Sequence, residues 1–389
     1  MTFKILTLNN ISIRGLERLP RERYEVASEI SNPDAIMLRS ADMHEMKVPA
    51  NVKAIARAGA GTNNIPVPKF SKLGVPVFNA PGANANAVKE LVIAGLFLAA
   101  RNICQAWEYA RNLQGTDEEI DVAVEKGKKK YVGYELPGRT LGVVGLGAIG
   151  VEVANAAHLL GMHVLGFDPQ ITVQRAWQLS SGVEQALSLD DLFSRCDMIT
   201  VHVPLMAATR HLVNAQRLKL LKPSGVILNF ARAGIVDEAA VIEALDASKL
   251  GAYICDFPTG NLKNHAKVVA LPHLGASTGE AEENCAIMVA DTLRDFLENG
   301  NVRNSVNFPE AILPRTAGST RLAIANENVP NMVGQISTAL AEGKLNIADL
   351  LNKSRGDLAY SLIDVDGTVS DDTLARLRDI AGVLNVRRV

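Results

Sequence analysis

Short apolar runs alternate with longer amphipathic segments over most of the chain. In the first hundred residues each apolar run ends in Gly, Asn, Ser or Pro, which is typical of buried strands that are followed by turns. The same rhythm starts again at Arg139, where the apolar runs are TLGVVG, MHVLGFD, MITVHV, GVILNF, AYICD and KVVAL. The pattern predicts two doubly wound, Rossmann-like α/β units, each with a parallel sheet.

The chain beyond the second unit predicts a different order of elements. A helix with a regular apolar face runs from about Thr278 to Asn299 and ends at Gly300, a typical left-handed cap. Because no strand of the same sheet follows this helix, we expect it to pack on the first unit. The segment Arg303–Thr320 contains two prolines and several turn residues, which predicts a linker. Residues 321–389 predict a βαββαβ order, typical of a ferredoxin-like α+β domain.

Composition and charge narrow the class of protein. The chain has 389 residues, 48% of them hydrophobic, and a formal charge of −2, so no basic excess favours nucleic acid as a partner. The longest apolar run, Leu91–Ala100, is half the length of about 20 residues that a membrane-spanning helix needs. We therefore expect a cytoplasmic protein that binds neither membranes nor nucleic acid. The four cysteines are far apart and predict neither a disulfide framework nor a metal site.

A glycine-rich motif marks the first helix of the second unit. GLGAIG, Gly145–Gly150, follows an apolar strand and precedes a helical segment. Gly145 suits a tight turn, and Gly147 lets a pyrophosphate approach the backbone at the positive end of the helix. The next strand ends about 20 residues later in Asp168, where a carboxylate can accept hydrogen bonds from both ribose hydroxyls of an adenosine.

The residue at the end of that second strand indicates which dinucleotide is bound. Asp168 would repel a 2′-phosphate, and the next two residues supply no cation, so the sequence predicts NAD. A role for Arg175 as a phosphate partner is the alternative that stays open. The predicted cofactor-binding residues of the motif are Gly145, Gly147, Ala148, Ile149, Gly150 and Asp168.

Three later strands of the second unit end in polar side chains. GVILNF is followed by Arg232, AYIC by Asp256 and KVVALP by His273. Because parallel strands end at one edge of a sheet, these groups are predicted to meet near the nicotinamide. Oxidation of a 2-hydroxy acid needs a base for the hydroxyl proton and a fixed cation for the carboxylate, which suit histidine and arginine. A helix-capping Arg232 and a surface His273 are the alternatives.

At these motifs the chain resembles the D-isomer-specific 2-hydroxyacid dehydrogenases. The segments that carry the resemblance are VFNAPGANANAVKELVIA, GLGAIG, NFARAGIVDE and LPHLGAST, within about the first 310 residues. The resemblance implies two Rossmann-like domains with a cleft between them. It places the substrate-binding domain at residues 1–82 and 276–310, the NAD-binding domain at 83–275, the linker at 311–320 and a small domain at 321–389.

The same resemblance implies roles for single residues. Arg232 would bind the substrate, His273 would be the general acid and base, and Ala231 and Asp256 would lie beside the cofactor. The implied substrate-binding residues are Arg39, Ser40, Gly59, Ala60 and Gly61, with backbone amides holding the carboxylate and Arg39 meeting a phosphate. Judged from the residues alone, Arg39 is a strand-end cation, for which a solvated salt bridge is the alternative.

One position departs from the family pattern. Members of this family orient the histidine with a glutamate, and the corresponding residue here is Gly260. Our hypothesis is that Asp256, displaced by one residue in the motif Cys255-Asp256-Phe257, supplies the negative charge that orients His273. The alternative is that Asp256 contacts the cofactor amide or caps a turn.

The C-terminal domain resembles the ACT regulatory domains, which bind small amino acids. The resemblance implies an effector site at Asn326, Asn328 and Asn346, with L-serine as the expected ligand. The resemblance to the dehydrogenase family also implies a homodimer or homotetramer. With this domain, the chain is most similar to those family members that oxidise 3-phospho-D-glycerate to 3-phosphohydroxypyruvate, the first step of L-serine biosynthesis. The alternatives are another D-2-hydroxyacid dehydrogenase, such as a glycerate or hydroxypyruvate reductase, and a non-catalytic NAD-sensing protein.

Overall fold

The computed structural model describes residues 2–389 and divides into two units, residues 85–278 and residues 2–84 with 279–389. The strands are β1 (Phe3–Leu8), β2 (Tyr24–Ala27), β3 (Ala35–Leu38), β4 (Ala54–Arg57), β5 (Val77–Phe78), β6 (Thr140–Val144), β7 (His163–Phe167), β8 (Val183–Gln185), β9 (Met198–Val201), β10 (Gly225–Asn229), β11 (Leu250–Cys255), β12 (Val268–Ala270), β13 (Thr320–Glu327), β14 (Ile347–Arg355), β15 (Leu358–Val365) and β16 (Val383–Arg388). The helices are α1 (Ile13–Leu16), α2 (Val67–Lys72), α3 (Ala85–Arg101), α4 (Ile103–Arg111), α5 (Asp117–Gly127), α6 (Ala148–Leu159), α7 (Val173–Ala176), α8 (Leu189–Arg195), α9 (Ala215–Leu218), α10 (Glu238–Asp246), α11 (Gly279–Asn299), α12 (Met332–Glu342) and α13 (Asp371–Asp379).

The unit formed by residues 85–278 is built on a seven-stranded parallel sheet. Its order is β12-β11-β10-β9-β6-β7-β8. The strands β7 and β8 therefore lie on one side of β6 and the strands β9 to β12 on the other, so the strand order reverses between β6 and β9. The final residues of the central strands are in register: Val144 with Val201, Val201 with Asn229, and Asn229 with Cys255. This sheet confirms the predicted doubly wound fold and places the loops after these strands at one edge.

The other unit contains a five-stranded parallel sheet with the order β2-β1-β3-β4-β5. Helix α11 packs on it through the buried side chains of Val289, Leu293 and Phe296, which share one core with Ile5 and Phe78. The rings of Phe78 and Phe296 meet edge to face at 5.2 Å between centroids. The long helix is therefore a central element of this unit.

The C-terminal segment forms a four-stranded antiparallel sheet with the order β14-β15-β13-β16, as the βαββαβ prediction requires. Both faces of this sheet are covered. On β13, Leu322 and Ile324 pack in the core with α12 and α13, whereas the alternate residues Ala323 and Ala325 belong to the core that contains Phe296 of α11. Because these alanines are small, the sheet approaches the helix closely.

The end of α11 is shaped for that close approach. Gly300 has a φ of +75°, and a Cβ added there would lie 3.2 Å from the Cβ of Ala323. The hydroxyl of Tyr360 donates to the carbonyl of Gly300 at 2.8 Å. A side chain at position 300 would therefore strain the backbone and separate the sheet from the helix.

The segment 303–320, which contains the predicted linker 311–320, is packed up to Leu313 and exposed from Pro314 to Gly318. Phe308 and Ala311 are fully buried, and Val302 pairs with Ala311. Asn307 accepts the backbone N–H of Val77 at 2.9 Å and donates to the carbonyl of Val75. The prolines and turn residues indicate the irregular path correctly, but the burial of the apolar residues between them excludes a flexible tether.

A buried ion pair holds this segment to the C-terminal sheet. Arg321 and Asp364 are both inaccessible to solvent and form two hydrogen bonds of 2.7 Å. The remaining guanidinium protons go to the carbonyls of Asn299, Leu313 and Pro314. Burial alone would raise the pKa of Asp364, but the hydrogen bonds from Arg321 and from the amide of Thr316 lower it below its ordinary value.

The stretch from Gln114 to Pro137, which lacks a clear pattern of apolar residues, contains helix α5. Its first turn has a capping box, in which Thr116 and Glu119 each accept a backbone N–H from the other residue. This signal is visible in the sequence TDEE. None of the helices in residues 2–389 is long and apolar enough to cross a lipid bilayer.

Candidate functional site

The candidate site of the unit 85–278 lies at the carboxyl edge of its parallel sheet. The glycine-rich turn follows β6, Asp168 follows β7, Arg232 follows β10 and Asp256 follows β11. His273 comes three residues after the end of β12 at Ala270. Because the strands are parallel and their ends are in register, all of these loops emerge on the same edge of the sheet.

The three glycines of the turn are required for different structural reasons. Gly145 has a φ of +90°, and a Cβ there would lie 2.6 Å from the carbonyl oxygen of His202 on the neighbouring loop. A Cβ on Gly150 would overlap the carbonyl of Gly145. Gly147, in contrast, has a φ of −74°, and a Cβ added there would have no protein atom within 4 Å. Gly147 is therefore open to a group from outside the chain.

The residues around Gly147 suit the diphosphate and ribose of a dinucleotide. Gly147 caps helix α6, whose first backbone N–H groups offer an anion site at the positive end of the helix dipole. The carboxylate of Asp168 accepts the amide of Leu146 in the same turn at 2.9 Å and the amide of Gln170 at 2.9 Å. These bonds fix a negative charge beside the turn, which favours NAD over a cofactor with a 2′-phosphate.

Replacing Gly147 with Ala tests this fit. The backbone at Gly147 suits alanine, so we expect the melting temperature to stay unchanged, while the methyl group weakens NADH binding by about tenfold or more. Titration of NADH fluorescence and a thermal melt measure the two quantities. Gly150→Ala is the contrasting variant, since it should lower the melting temperature. Equal NADH affinity in Gly147→Ala and the unmodified protein would contradict the assignment.

The loop that bears Arg232 is shaped by Asn229, a residue that the sequence analysis does not single out. Asn229 is fully buried at the end of β10. Its side chain accepts the amide of Ala231 at 3.1 Å and donates to the carbonyl of Arg232 at 3.0 Å. Arg232 itself is exposed at the carboxyl edge of the sheet, and its guanidinium donates to the carbonyl of Ala231. A buried polar residue at a strand end is the signal that could have identified Asn229.

The loop that bears His273 is held by Asp256 through three successive backbone amides. The amide of His273 donates to the carbonyl of Asp256 at 3.1 Å. The amides of Leu274 and Gly275 donate to its two carboxylate oxygens at 2.8 and 2.7 Å. His273 has a φ of +55°, which is uncommon for a residue with a side chain, and these bonds stabilise that conformation.

This geometry favours the turn-capping alternative over the hypothesis that Asp256 orients the imidazole by its charge. The carboxylate is fully buried and is occupied by the two amides, which is the turn-capping alternative. Within residues 2–389, the ring nitrogens of His273 have no hydrogen-bond partner, and the ring lies 5.2 Å from that of Phe257. Gly260 stands at the position of the family glutamate, and a Cβ added there would meet only open space.

In the unit 2–84 and 279–389, the implied substrate-binding residues follow β3 and β4. Arg39 and Ser40 come directly after β3, and Arg39 forms an ion pair with Glu282 of α11 at 2.7 Å. The loop Gly59–Gly61 follows β4, and its Gly59 packs against the guanidinium of Arg57. In the described part of the chain, the amides of Ala60 and Gly61 donate to no backbone or side-chain acceptor. The loop thus offers donors for a carboxylate.

The implied effector residues lie at the ends of strands in the C-terminal sheet. Asn326 is buried and donates to the carbonyl of Glu327, and its side-chain oxygen has no partner. Asn328 and Asn346 are exposed and bond to the carbonyl of Gly356 and to Asp366. The described residues contain no cluster of His, Cys, Asp and Glu that could hold a metal ion.

Comparison with known proteins agrees with a dinucleotide-binding site in the unit 85–278. A family model described as the NAD binding domain of D-isomer specific 2-hydroxyacid dehydrogenases matches residues 93–275. A D-3-phosphoglycerate dehydrogenase of Haemophilus influenzae is 33% identical over 338 residues, which cover 84% of this chain and 78% of that protein. The D-3-phosphoglycerate dehydrogenase of Synechocystis sp. is 36% identical over 324 residues, which cover 80% of this chain and 56% of that protein.

Solved structures show the same relationship. An NAD⁺-bound 3-phosphoglycerate dehydrogenase of Entamoeba histolytica is 27% identical, with a TM-score of 0.63 over 79% of this chain and 99% of that one. The D-mandelate dehydrogenase of Rhodotorula graminis, at 23% identity and a TM-score of 0.67, shares the fold. The chain belongs to the D-isomer-specific 2-hydroxyacid dehydrogenases, the family that its glycine turn and the strand-end positions of Arg232 and His273 indicate.

Proposed function

We propose that this protein oxidises 3-phospho-D-glycerate to 3-phosphohydroxypyruvate with NAD, the first step of L-serine biosynthesis. One observation carries the proposal above all. The ring nitrogens of His273 have no hydrogen-bond partner among the described residues. Hydrogen bonds from three backbone amides hold the loop of His273 at the carboxyl edge of the NAD-binding sheet. The curated relatives that act on 3-phosphoglycerate support the choice of substrate.

Each residue then has a chemical role. The glycine turn Gly145–Gly150 and Asp168 would hold NAD, which would supply the acceptor for the hydride of the hydroxyl-bearing carbon. The imidazole of His273 takes the proton of that hydroxyl, because histidine is the side chain that most often serves as a general acid or base. The guanidinium of Arg232 binds the carboxylate and stabilises negative charge on the developing carbonyl oxygen. In the unit 2–84 and 279–389, considered by itself, the amides of Ala60 and Gly61 are donors that suit a carboxylate, and Arg39 is a cation that suits a phosphate.

The test compares substrates. Purified protein is mixed with NAD and, in turn, 3-phospho-D-glycerate, D-glycerate and other D-2-hydroxy acids, and NADH formation is followed by absorbance. We expect the highest kcat/KM with 3-phospho-D-glycerate. A higher value with an unphosphorylated acid would assign the protein to another D-2-hydroxyacid dehydrogenase. Binding of NADH without turnover of any acid would favour a non-catalytic NAD-binding protein.

The role of Asp256 leads to a separate prediction. In Asp256→Asn, one of the two amides that now meet carboxylate oxygens would face an NH₂ group, so the His273 loop loses support. We expect kcat/KM to fall on the order of tenfold because the base is misplaced. The midpoint of its pH profile should stay in place, because the carboxylate acts through the backbone. Asp246→Asn, at an exposed carboxylate, is the control. A shifted midpoint would restore the charge hypothesis.

We further propose that the C-terminal domain binds a small amino acid at Asn326, Asn328 and Asn346, and that the protein is a cytoplasmic homo-oligomer. The oxygen of the buried Asn326, which has no partner among the described residues, supports the first proposal, and the family resemblance supports the second. Addition of L-serine to the same assay tests the effector. An unchanged rate at millimolar serine rejects it, and a monomer in sedimentation analysis rejects the oligomer.

A further inference from the structure

The guanidinium of Arg39 forms an ion pair with a carboxylate of the same unit. Its Nη1 lies 2.7 Å from Oε1 of Glu282, which stands in the first turn of α11. The two residues are 243 positions apart in the sequence, and both side chains are partly exposed, at 37% and 43%. The ion pair therefore sits where solvent, or a solute anion, can reach it.

A second guanidinium lies in the same place. Asn64 accepts from Nε of Arg57 at 3.0 Å and donates to the carbonyl of Arg39 at 3.2 Å, so one side chain joins the ends of β3 and β4. Burial raises the pKa of the Cys285 thiol, while the nearby Arg57 and Arg39 oppose the shift and Glu282 adds to it. Because Leu38 at the end of β3 pairs with Arg57 at the end of β4, Arg39 and Arg57 stand at neighbouring strand ends.

We propose that Glu282 is a residue that sets affinity for phosphorylated substrates, by competing with the substrate phosphate for Arg39. The inference rests on the proposed function in taking Arg39 as the residue that meets the phosphate. When the phosphate binds, the carboxylate of Glu282 leaves Arg39 and turns to solvent. Without the phosphate, the ion pair keeps the guanidinium paired and disfavours small anions.

The charges of the cluster support competition rather than assistance. Glu282 offsets the single positive charge of Arg39, so the ion pair carries no net charge. A phosphate monoester carries about −1.5 to −2 at pH 7, so the ion pair falls short of neutralising it. The carboxylate also repels the phosphate directly. Because the pair is partly exposed, water screens both effects and their size stays moderate.

The experiment measures binding directly. 3-Phospho-D-glycerate and D-glycerate are titrated calorimetrically into the NADH-loaded protein and its Glu282→Gln variant. We expect Glu282→Gln to bind 3-phospho-D-glycerate about two- to tenfold more tightly, with the gain shrinking as salt is added. Its affinity for D-glycerate, which has no phosphate, should stay the same. Glu283→Gln removes the same charge from an exposed neighbour on α11 and should change neither affinity.

The outcomes separate this inference from the proposed function. Weaker binding in Glu282→Gln would show that the carboxylate positions Arg39, and equal tightening for both acids would show an effect unrelated to phosphate; either result overturns the proposal. Loss of the gain in the double variant Arg39→Ala, Glu282→Gln would support it. Tight binding without turnover would refute the dehydrogenase activity and leave this inference standing. No binding of 3-phospho-D-glycerate to any variant would overturn the inference.

Discussion

Replacing His273 with Asn is expected to lower kcat by about 10²- to 10⁴-fold, the usual contribution of a general acid or base. Asparagine is chosen because it tolerates the left-handed backbone that His273 adopts at φ +55°. The amide bonds to Asp256 use only the backbone of residues 273–275, so the loop should keep its shape. NADH affinity and the melting temperature should therefore remain those of the unmodified protein.

The measurement is kcat at saturating NAD and 3-phospho-D-glycerate, together with an NADH titration. His265→Asn is the matched control, because His265 pairs with the exposed Asp246 and lies outside the proposed chemistry. We expect partial recovery of the His273→Asn variant in buffers that contain imidazole. A loss of less than about tenfold would mean that another group transfers the proton.

Replacing Arg321 with Met is expected to destabilise the protein by about 3–5 kcal/mol, because it leaves the buried carboxylate of Asp364 without its partner. Three backbone carbonyls also lose their donor. The double variant Arg321→Met, Asp364→Leu should recover much of this stability, since an apolar pair of similar volume avoids the buried charge. Urea or thermal unfolding of the three proteins measures the effect. Comparable stability of both variants would contradict it.

The pair also predicts a dependence of stability on pH. The folded-state pKa of Asp364 is lowered, so its contribution is present above the ordinary carboxyl pKa of about 3.9 and is lost as the pH falls from there through the folded-state value. The double variant should lack this loss. Arg376→Met breaks an exposed ion pair with Asp372 and serves as the control, with little expected change at any pH.

Local patterns were sufficient to predict both parallel sheets, the glycine turn and the strand-end positions of Arg232 and His273. These features depend on residues close together in sequence, and parallel topology then brings the strand ends to one edge. Helix α5 also begins at a local signal, the capping box of Thr116 with Glu119, although its apolar face is weak.

Other features depend on distant parts of the chain. The ion pair of Arg39 with Glu282 and the buried pair of Arg321 with Asp364 join residues whose proximity only the tertiary fold determines. The contacts of Asp256 also depend on the fold, because charge alone does not reveal whether backbone amides or an imidazole will face a carboxylate. The burial of Phe308 and Ala311 beside the predicted linker follows from a neighbouring surface that sequence patterns do not describe.

Helix α11 connects the ion pair of Arg39 with the C-terminal sheet. Its 21 residues form one unbroken rod about 30 Å long. One end carries Glu282 against Arg39, and the other ends at Gly300 beneath the C-terminal sheet. Because the C-terminal sheet shares a core with Phe296, a displacement of the sheet would also displace helix α11. The C-terminal domain is therefore not an independent module. A different domain put in its place would have to cover the same apolar surface of α11.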